Sequence, residues 1–282
     1  MGDPGVLVLG LALGAASAGA LWRLSAATFA KDLFARTNFR GATVPVAVGV
    51  LVPIALVAVG AVLLVAESAE IVSFSRPHLV LTVLAAVGFA LLGLLDDLAG
   101  DNDAKGFSGH LRALAAGELT TGGVKLFGGA ALAVVVASAI SDHRPGRLVA
   151  DAVLIALAAN LGNLLDRAPG RVAKCALLVA VPVGAIAGFD DRLLGPVVAL
   201  GAIVALLVPD LRERLMLGDT GANVVGALAG LSVVLVAAPD TRTGVLVVVA
   251  ALNLLSERVS FSKVIEATPP LRALDRLGRR PE

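Results

Sequence analysis

The sequence predicts an all-α, polytopic membrane helix bundle that forms a single integral-membrane domain over residues 1–282. Three compositional values predict this class. Hydrophobic residues make up 57% of the chain, charged residues only 16%, and the mean hydropathy is +0.91. Soluble domains carry about 25% charged residues, so the composition argues against a soluble fold. A net charge of +1 without any basic block argues against intrinsic disorder and against nucleic-acid binding.

Long apolar runs predict the membrane-crossing helices in order, since a crossing helix needs about 20 mostly apolar residues. The predicted spans are about nine in number: 5–22, 43–66, 77–95, 124–141, 148–165, 172–189, 192–209, 220–238 and 243–257. Arg23 follows the first run, and no positive charge precedes that run, which favours an anchor over a cleaved signal peptide. The segments between the runs are too short to form a separate soluble core.

The distribution of basic residues predicts the orientation of the bundle. Of the 23 Lys and Arg residues, 18 fall on one side of the predicted spans and five fall on the other. The richer side comprises segments 23–42, 96–125, 166–174, 209–219 and 258–282. Cytoplasmic loops are enriched in Lys and Arg, so the N-terminus is expected outside and the C-terminus in the cytoplasm of a plasma-membrane protein.

The first polar group on the predicted cytoplasmic side is the pair Asp96-Asp97, at the end of the third span. Two adjacent carboxylates repel one another unless a cation or a base lies near. A divalent cation bound through carboxylate oxygens would relieve that repulsion. The alternative is an ordinary helix end whose acidic side chains face solvent.

The second group is Asn160, Asn163 and Asp166, at the end of the fifth span. The i, i+3, i+6 spacing puts the three side chains along one side of a helix. A polar stripe on an apolar helix is typical of a lined cavity. The alternative is a set of hydrogen bonds between neighbouring helices.

The third group is the sequence MLGDTGANVVG at 216–226, which places Asp219 at the start of the eighth span between Gly218 and Gly221. Glycines allow a ligand to approach the backbone closely. A helix N-terminus offers amide donors to a phosphate, so we expect a phosphate beside a carboxylate-bound metal. The alternative is that Asp219 only caps the helix.

The fourth group is the loop DAKGFSGHLR at 103–112, with Lys105, His110 and Arg112. Its cations could hold phosphates opposite the aspartates. The alternative is that they only follow the positive-inside rule.

These motifs together resemble the polyprenyl-phosphate N-acetylhexosamine-1-phosphate transferases, whose best-known member is the phospho-N-acetylmuramoyl-pentapeptide transferase of peptidoglycan synthesis. The resemblance covers most of the chain, and its four motifs occur in the family's order. The family's Asp-Asp pair, lysine- and glycine-rich loop, NxxNxxD pattern and GDxGS motif match Asp96-Asp97, KGFSGHLR, Asn160-Asn163-Asp166 and Gly218-Asp219-Gly221.

The resemblance implies transfer of a sugar-1-phosphate from a UDP-N-acetylhexosamine or UDP-muramoyl-peptide to polyprenyl phosphate, with release of UMP at the cytoplasmic face of the bilayer. It implies Mg²⁺, with Mn²⁺ as a second metal that fits, held by Asp219 and Asn163. One of Asp96 and Asp97 would deprotonate or orient the lipid phosphate. A homodimer is compatible with the sequence.

The resemblance also implies substrate-binding roles for six further residues. Asn160 and Asp166 would contact the nucleotide, and Lys105 and Arg112 would steady the phosphates. Gly218 and Gly221 would let the substrate approach the backbone.

Two other functions stay open on the sequence. Ala222 replaces the serine of GDxGS, and the segment after residue 257 has no histidine and no further apolar run. A non-catalytic or regulatory relative that keeps the scaffold is therefore one alternative. A transporter is another, although transporters place polar groups near the bilayer midplane and these lie at one face.

Overall fold

Eleven α-helices and one two-stranded hairpin lie within the residues that the computed structural model describes, which are 3–38, 40–99, 120–141 and 144–280. The helices are α1 Pro4–Phe29, α2 Leu51–Ser68, α3 Arg76–Ala99, α4 Thr121–Ser138, α5 Pro145–Leu165, α6 Arg171–Ala187, α7 Leu194–Leu211, α8 Gly218–Val236, α9 Pro239–Ser256, α10 Phe261–Ala267 and α11 Pro269–Arg276. The hairpin strands are β1 Ala35–Thr37 and β2 Thr43–Pro45, which pair antiparallel.

The helices confirm an all-α bundle of the membrane type. Within the described residues, seven helices are long and apolar enough to cross a bilayer, namely those in Pro4–Phe29, Val48–Ser68, Arg76–Ala99, Thr121–Ser138, Pro145–Leu165, Asp191–Leu211 and Gly218–Val236. The pair α9 and α10 brings the number to eight if it counts as one span, with a bend of 97°. The remaining predicted span coincides with α6, which has 17 residues. The count of nine and the orientation stay predictions.

The predicted span 43–66 begins too early. Residues 43–45 form β2, Ala47 takes a left-handed conformation with φ 61°, and α2 begins only at Leu51. The backbone of this segment pairs with the chain just before α8: Gly49 donates to the carbonyl of Leu217 at 3.0 Å. The segment is apolar because it is packed against other parts of the protein. Residues 43–47 lie outside the bilayer-crossing segment Val48–Ser68.

Helix α8 lies at the centre of the bundle. In its most apolar stretch 78% of the residues are buried, against 22% for α1. Glycines bring its backbone close to that of α5: a Cβ on Gly226 would lie 2.1 Å from the carbonyl oxygen of Ala158, and one on Gly162 would lie 2.4 Å from that of Ala222. Such close approach between helices is typical of packing in lipid. It fixes α8 as the element around which the others are arranged.

One end of the bundle is held by a buried ion-pair network around Asp151, which is 0% exposed. Its carboxylate accepts from Arg147 at 2.5 Å, from Arg242 at 3.1 Å and from Ser141 at 3.1 Å. Because the ring of donors joins α5 to the start of α9, it sets those two helices side by side at this end. We call it the Asp151 end, and the opposite end, which carries Asp219, the Asp219 end.

The C-terminal helices are fastened to the Asp219 end by a second buried ion pair. Arg171, at the start of α6, donates to Asp275 of α11 at 2.8 and 3.0 Å, and these residues are 6% and 8% exposed. Lys174 donates to the carbonyl of Asp275 at 2.7 Å and so caps the end of α11. Removing one partner of such a buried pair typically costs about 3–5 kcal/mol.

This docking should depend on acidity. Although partial burial alone raises the pKa of Asp275, the hydrogen bond and charge of Arg171, with the charges of Arg279 and Lys174, hold that pKa below its usual value. A lowered carboxylate pKa adds stability that is present above the unfolded value of about 3.9 and is lost as pH falls through the folded value. We therefore expect residues 261–280 to lose hydrogen-exchange protection, after correction for the chemical exchange rate, only below about pH 4.

The matched variant for this prediction is Asp275→Asn. In this variant residues 261–280 should lack hydrogen-exchange protection already at neutral pH. Glu266→Gln is the control, because Glu266 is 55% exposed and its pairs with Arg272 and Arg276 lie at the surface. It should leave the acid profile unchanged. A wild-type profile that is flat down to pH 3 would contradict the prediction.

Candidate functional site

Asp97 serves as the N-terminal cap of α8, although it belongs to α3. Its carboxylate accepts from the backbone N–H groups of Asp219 and Thr220, both at 2.9 Å, and from the hydroxyl of Thr220 at 2.5 Å. The first N–H groups of a helix have no partner within the helix, and a carboxylate suits the positive end of the helix dipole. Asp97 therefore occupies the amide donors that the sequence assigned to a phosphate.

Gly218 makes this cap geometrically feasible. Its φ is +70°, a left-handed conformation that glycine adopts without strain. A Cβ at this position would lie 2.5 Å from one carboxylate oxygen of Asp97. Gly93 of α3 fits as closely, since its Cβ would lie 2.3 Å from the carbonyl oxygen of Asp219. The ends of α3 and α8 thus touch through backbone, which fixes Asp219 beside Asp96.

Lys125, near the start of α4, joins Asp96 to Asp219. Its ammonium donates to Asp96 at 3.2 Å and also to the carboxylate of Asp219. The three side chains are 15%, 25% and 28% exposed in the order Lys125, Asp96 and Asp219, so a ligand can still reach them. Asp96, Asp219 and Lys125 form what we call the carboxylate–lysine cluster.

The carboxylate–lysine cluster offers two oxygen-donor residues to a metal. Within the described part of the chain, no group of three or more His, Cys, Asp or Glu side chains is arranged to hold a metal ion. Mg²⁺, however, is usually bound through one or two carboxylates together with substrate phosphates and waters. Asp96 and Asp219 already converge on one cation, the Lys125 ammonium. Their donor chemistry therefore fits Mg²⁺ or Mn²⁺ when a diphosphate supplies further oxygens.

The polar stripe of α5 divides between two environments. Asn160 donates to the side chain of Asn253 on α9 at 2.7 Å, and Asn253 in turn donates to the carbonyl of Leu157 at 3.1 Å. For Asn160 the interhelical alternative is thus the one observed. Asn163 follows Gly162, the glycine packed against α8, and is partly exposed. Each step of three residues turns the helix by about 60°, which is why the stripe does not stay on one face.

Asp166 lies just beyond α5, where it caps the helix end. Burial raises the pKa of Asp166 well above its ordinary value, and the charges of Asp210, Asp219 and Asp97 raise it further. These charges act on Asp166 only because the carboxylates share the Asp219 end. The Asp166 carboxyl therefore lies where neighbouring negative charge opposes its ionisation.

The other predicted site residues have simpler positions. Gly221 packs on the hairpin side of α8: a Cβ there would lie 2.8 Å from the Cα of Gly49. This contact by itself accounts for a glycine at 221. Lys105 and Arg112 lie outside the described residues.

Three residues of the site were missed in the sequence. Lys125 was counted only as part of a cytoplasmic loop, although a lysine at the end of an apolar run, on the side of the aspartates, is a recognisable signal. Thr220, which lies between Gly218 and Gly221, was not among the predicted site residues. Arg36 of β1 donates to the backbone carbonyl of Asp97 at 2.9 Å, which brings another cation to the site. No local pattern marks that last contact.

An apolar groove runs beside the site between α5, α6, α8 and α9. It has a volume of about 560 Å³ up to its open side. Its lining includes Gly162 and Leu165, at the end of α5 that carries Asn163 and Asp166. Cys175 of α6 and Val225 of α8 also line it, so the wall is apolar up to the polar end. The groove could hold a hydrocarbon chain.

Comparison with known proteins gives no family for this chain. The sequence matches no protein-family model, and no curated protein matches it at a significant level of similarity. The functional assignment therefore depends on the residues and their geometry.

Proposed function

We propose that the protein transfers a sugar-1-phosphate from a UDP-N-acetylhexosamine, or from a UDP-muramoyl-peptide, to a polyprenyl phosphate at the cytoplasmic face of the plasma membrane, as a divergent member of the transferase family it resembles. In this reaction an oxygen of the lipid phosphate forms a bond to the sugar-bearing phosphorus. The bond from that phosphorus to the UMP oxygen breaks, and UMP leaves with the electron pair. The product belongs to cell-envelope glycan synthesis, such as that of peptidoglycan.

The observation that carries this proposal is the meeting of Asp96, Asp219 and Lys125 at one end of the bundle. Phosphoryl transfer depends mainly on positioning and on neutralisation of charge, with little covalent work for the protein. Two carboxylates and an ammonium, partly open to solvent, are suited to that task. If the same three side chains were fully buried, a purely structural role would be the better interpretation.

The residues at the Asp219 end divide the work of the proposed reaction between metal binding, phosphate contact and positioning. Asp219 and Asp96 would hold Mg²⁺, with Asn163 as a further oxygen donor, and the metal would neutralise the diphosphate charge. Lys125 would contact the phosphate oxygens in the substrate complex. Asp97 is a positioning residue, because its carboxylate is taken up by the end of α8.

The lipid acceptor fits the apolar groove that ends near Asn163 and Asp166. A polyprenyl chain in this groove would bring its phosphate from the membrane to the Asp219 end. Asp166 would contact the nucleotide. Asn160 is tied to Asn253 and would act only through a rearrangement of that contact.

The direct test is UMP release by the purified protein reconstituted with undecaprenyl phosphate, Mg²⁺ and a panel of UDP-sugars. We expect release with at least one UDP-N-acetylhexosamine or UDP-muramoyl-peptide, lost on chelation of the metal and restored by Mg²⁺ or Mn²⁺. A known transferase of the family, assayed in the same preparation, is the positive control. No release with any donor while that control works would contradict the proposal.

A second function is favoured by the same ion pairs. Lys125 pairs with both Asp96 and Asp219, so contacts within the protein already hold the cluster together. A non-catalytic relative would need only such a cluster to bind a lipid phosphate or a nucleotide. Binding of UDP-sugar without turnover, in the same assay, would favour it.

A further inference from the structure

The C-terminal segment 261–280 runs across the end of the bundle. Helix α9 lies alongside α5: Arg147 at the start of α5 donates to the carbonyl of Pro239 at 3.0 Å, and Asn253 contacts the carbonyl of Leu157 further on. Since α5 is long and apolar enough to cross a bilayer, the 97° bend between α9 and α10 turns the chain towards the membrane plane. The segment therefore lies at the level of an interface.

One side of this segment is apolar and uncovered by protein. Leu271, Leu274 and Leu277 follow one another at intervals of three residues, and they are 45%, 40% and 66% exposed. The neighbouring edge of α11 carries Asp275, whose contact with Arg171 fixes the rotation of the helix. Because that rotation is fixed by a buried ion pair, the leucines face outwards in the folded protein.

The opposite side of the segment is cationic. Residues 261–280 contain five Lys or Arg residues and two acidic ones. Arg272 and Arg276 are 43% and 50% exposed, and each pairs with the carboxylate of Glu266. An interfacial helix of this kind, with basic and apolar faces, binds anionic membranes by burying its apolar side chains and pairing its cations with headgroups.

We propose that segment 261–280 is a binding surface for anionic lipid headgroups, with its leucine face inserted at the boundary between headgroups and acyl chains. A second copy of the chain would bring the same excess of positive charge to the contact, which opposes pairing through this surface. A bilayer rich in phosphatidylglycerol supplies both the apolar boundary and the negative charge. The proposal is independent of the transferase function.

The test measures the depth of single labelled positions in nanodiscs. Cys175→Ser removes the cysteine of the chain, and Leu274→Cys or Arg276→Cys then carries an environment-sensitive fluorophore. The discs contain phosphatidylcholine alone or mixed with phosphatidylglycerol, with a nitroxide on the acyl chains near the headgroups. Iodide reports exposure to water. The Arg276 position is the matched control, because it lies across the same helix.

We expect the nitroxide to quench the label at 274 at least about twofold more than the label at 276, and iodide to show the reverse order. Phosphatidylglycerol should increase the nitroxide quenching at 274, and Arg272→Gln with Arg280→Gln should remove that increase. Equal accessibility of both positions to iodide would overturn the proposal. So would indifference to phosphatidylglycerol, or self-quenching at 274 that rises with the number of protein copies per disc.

Discussion

Asp219→Asn is expected to reduce UMP release by at least about 100-fold, because it removes a charged ligand from the proposed metal–diphosphate site. The amide keeps the size of the side chain, and Lys125 keeps its pair with Asp96. The N-terminus of α8 stays capped, since Asp97 contacts the backbone of residue 219 and does not need its carboxylate. The loss should therefore appear in turnover and metal dependence while the thermal unfolding midpoint in detergent changes little.

Asp240→Asn is the matched control for this change. Asp240 is exposed in the first turn of α9, beside the Asp151 end, so its loss should leave activity within about twofold of wild type. Activity of Asp219→Asn within a few-fold of wild type would remove the metal-ligand role of Asp219. It would leave the transferase proposal without the residue on which it most depends.

Gly218→Ala is expected to lower the free energy of unfolding by about 3 kcal/mol. The new Cβ would lie 2.5 Å from the Asp97 carboxylate, and the φ of +70° would be strained for alanine. The strain costs about 1 kcal/mol and the overpacking about 1–3 kcal/mol. Either the carboxylate moves off the end of α8 or the backbone shifts. Both outcomes displace Asp219, so activity should fall together with the unfolding free energy.

Gly41→Ala separates the two contributions. Gly41 also has a positive φ, +79°, but a Cβ there would meet nothing within 4 Å. Gly41→Ala should therefore lower the free energy of unfolding only by the cost of backbone strain, about 1 kcal/mol, when unfolding is followed in the same detergent. Equal losses in the two variants would show that the close contact between Gly218 and Asp97 does not contribute to stability.

Much of the helical architecture follows from composition, because the solvent preference of some 20 consecutive residues is a local property. The nine predicted spans each coincide with one helix among α1 to α9. The exception in their bounds is instructive. Residues 43–50 are uncharged and largely apolar, yet they form a strand and a short turn, because the chain before α8 pairs with their backbone. Hydropathy cannot distinguish burial in protein from burial in lipid.

The positions of the polar residues were also visible in the sequence, but their roles were not. Adjacent helix residues differ by about 100° in direction, so Asp96 and Asp97 face different partners. Asn160 faces α9, whereas Lys125, counted with a loop, reaches Asp96 and Asp219. These outcomes depend on which neighbouring helix supplies a donor.

The sequence by itself predicted a membrane environment for this protein, its apolar helices and the end of the bundle at which its carboxylates lie. Only the tertiary structure decided that Asp97 holds the backbone of α8 while Asp96 and Asp219 stay within reach of a ligand. The contact that decides this joins residues 122 positions apart in the chain. Its physical reason is the set of unpaired N–H groups at the start of α8, which attract whichever carboxylate the helix packing brings to them.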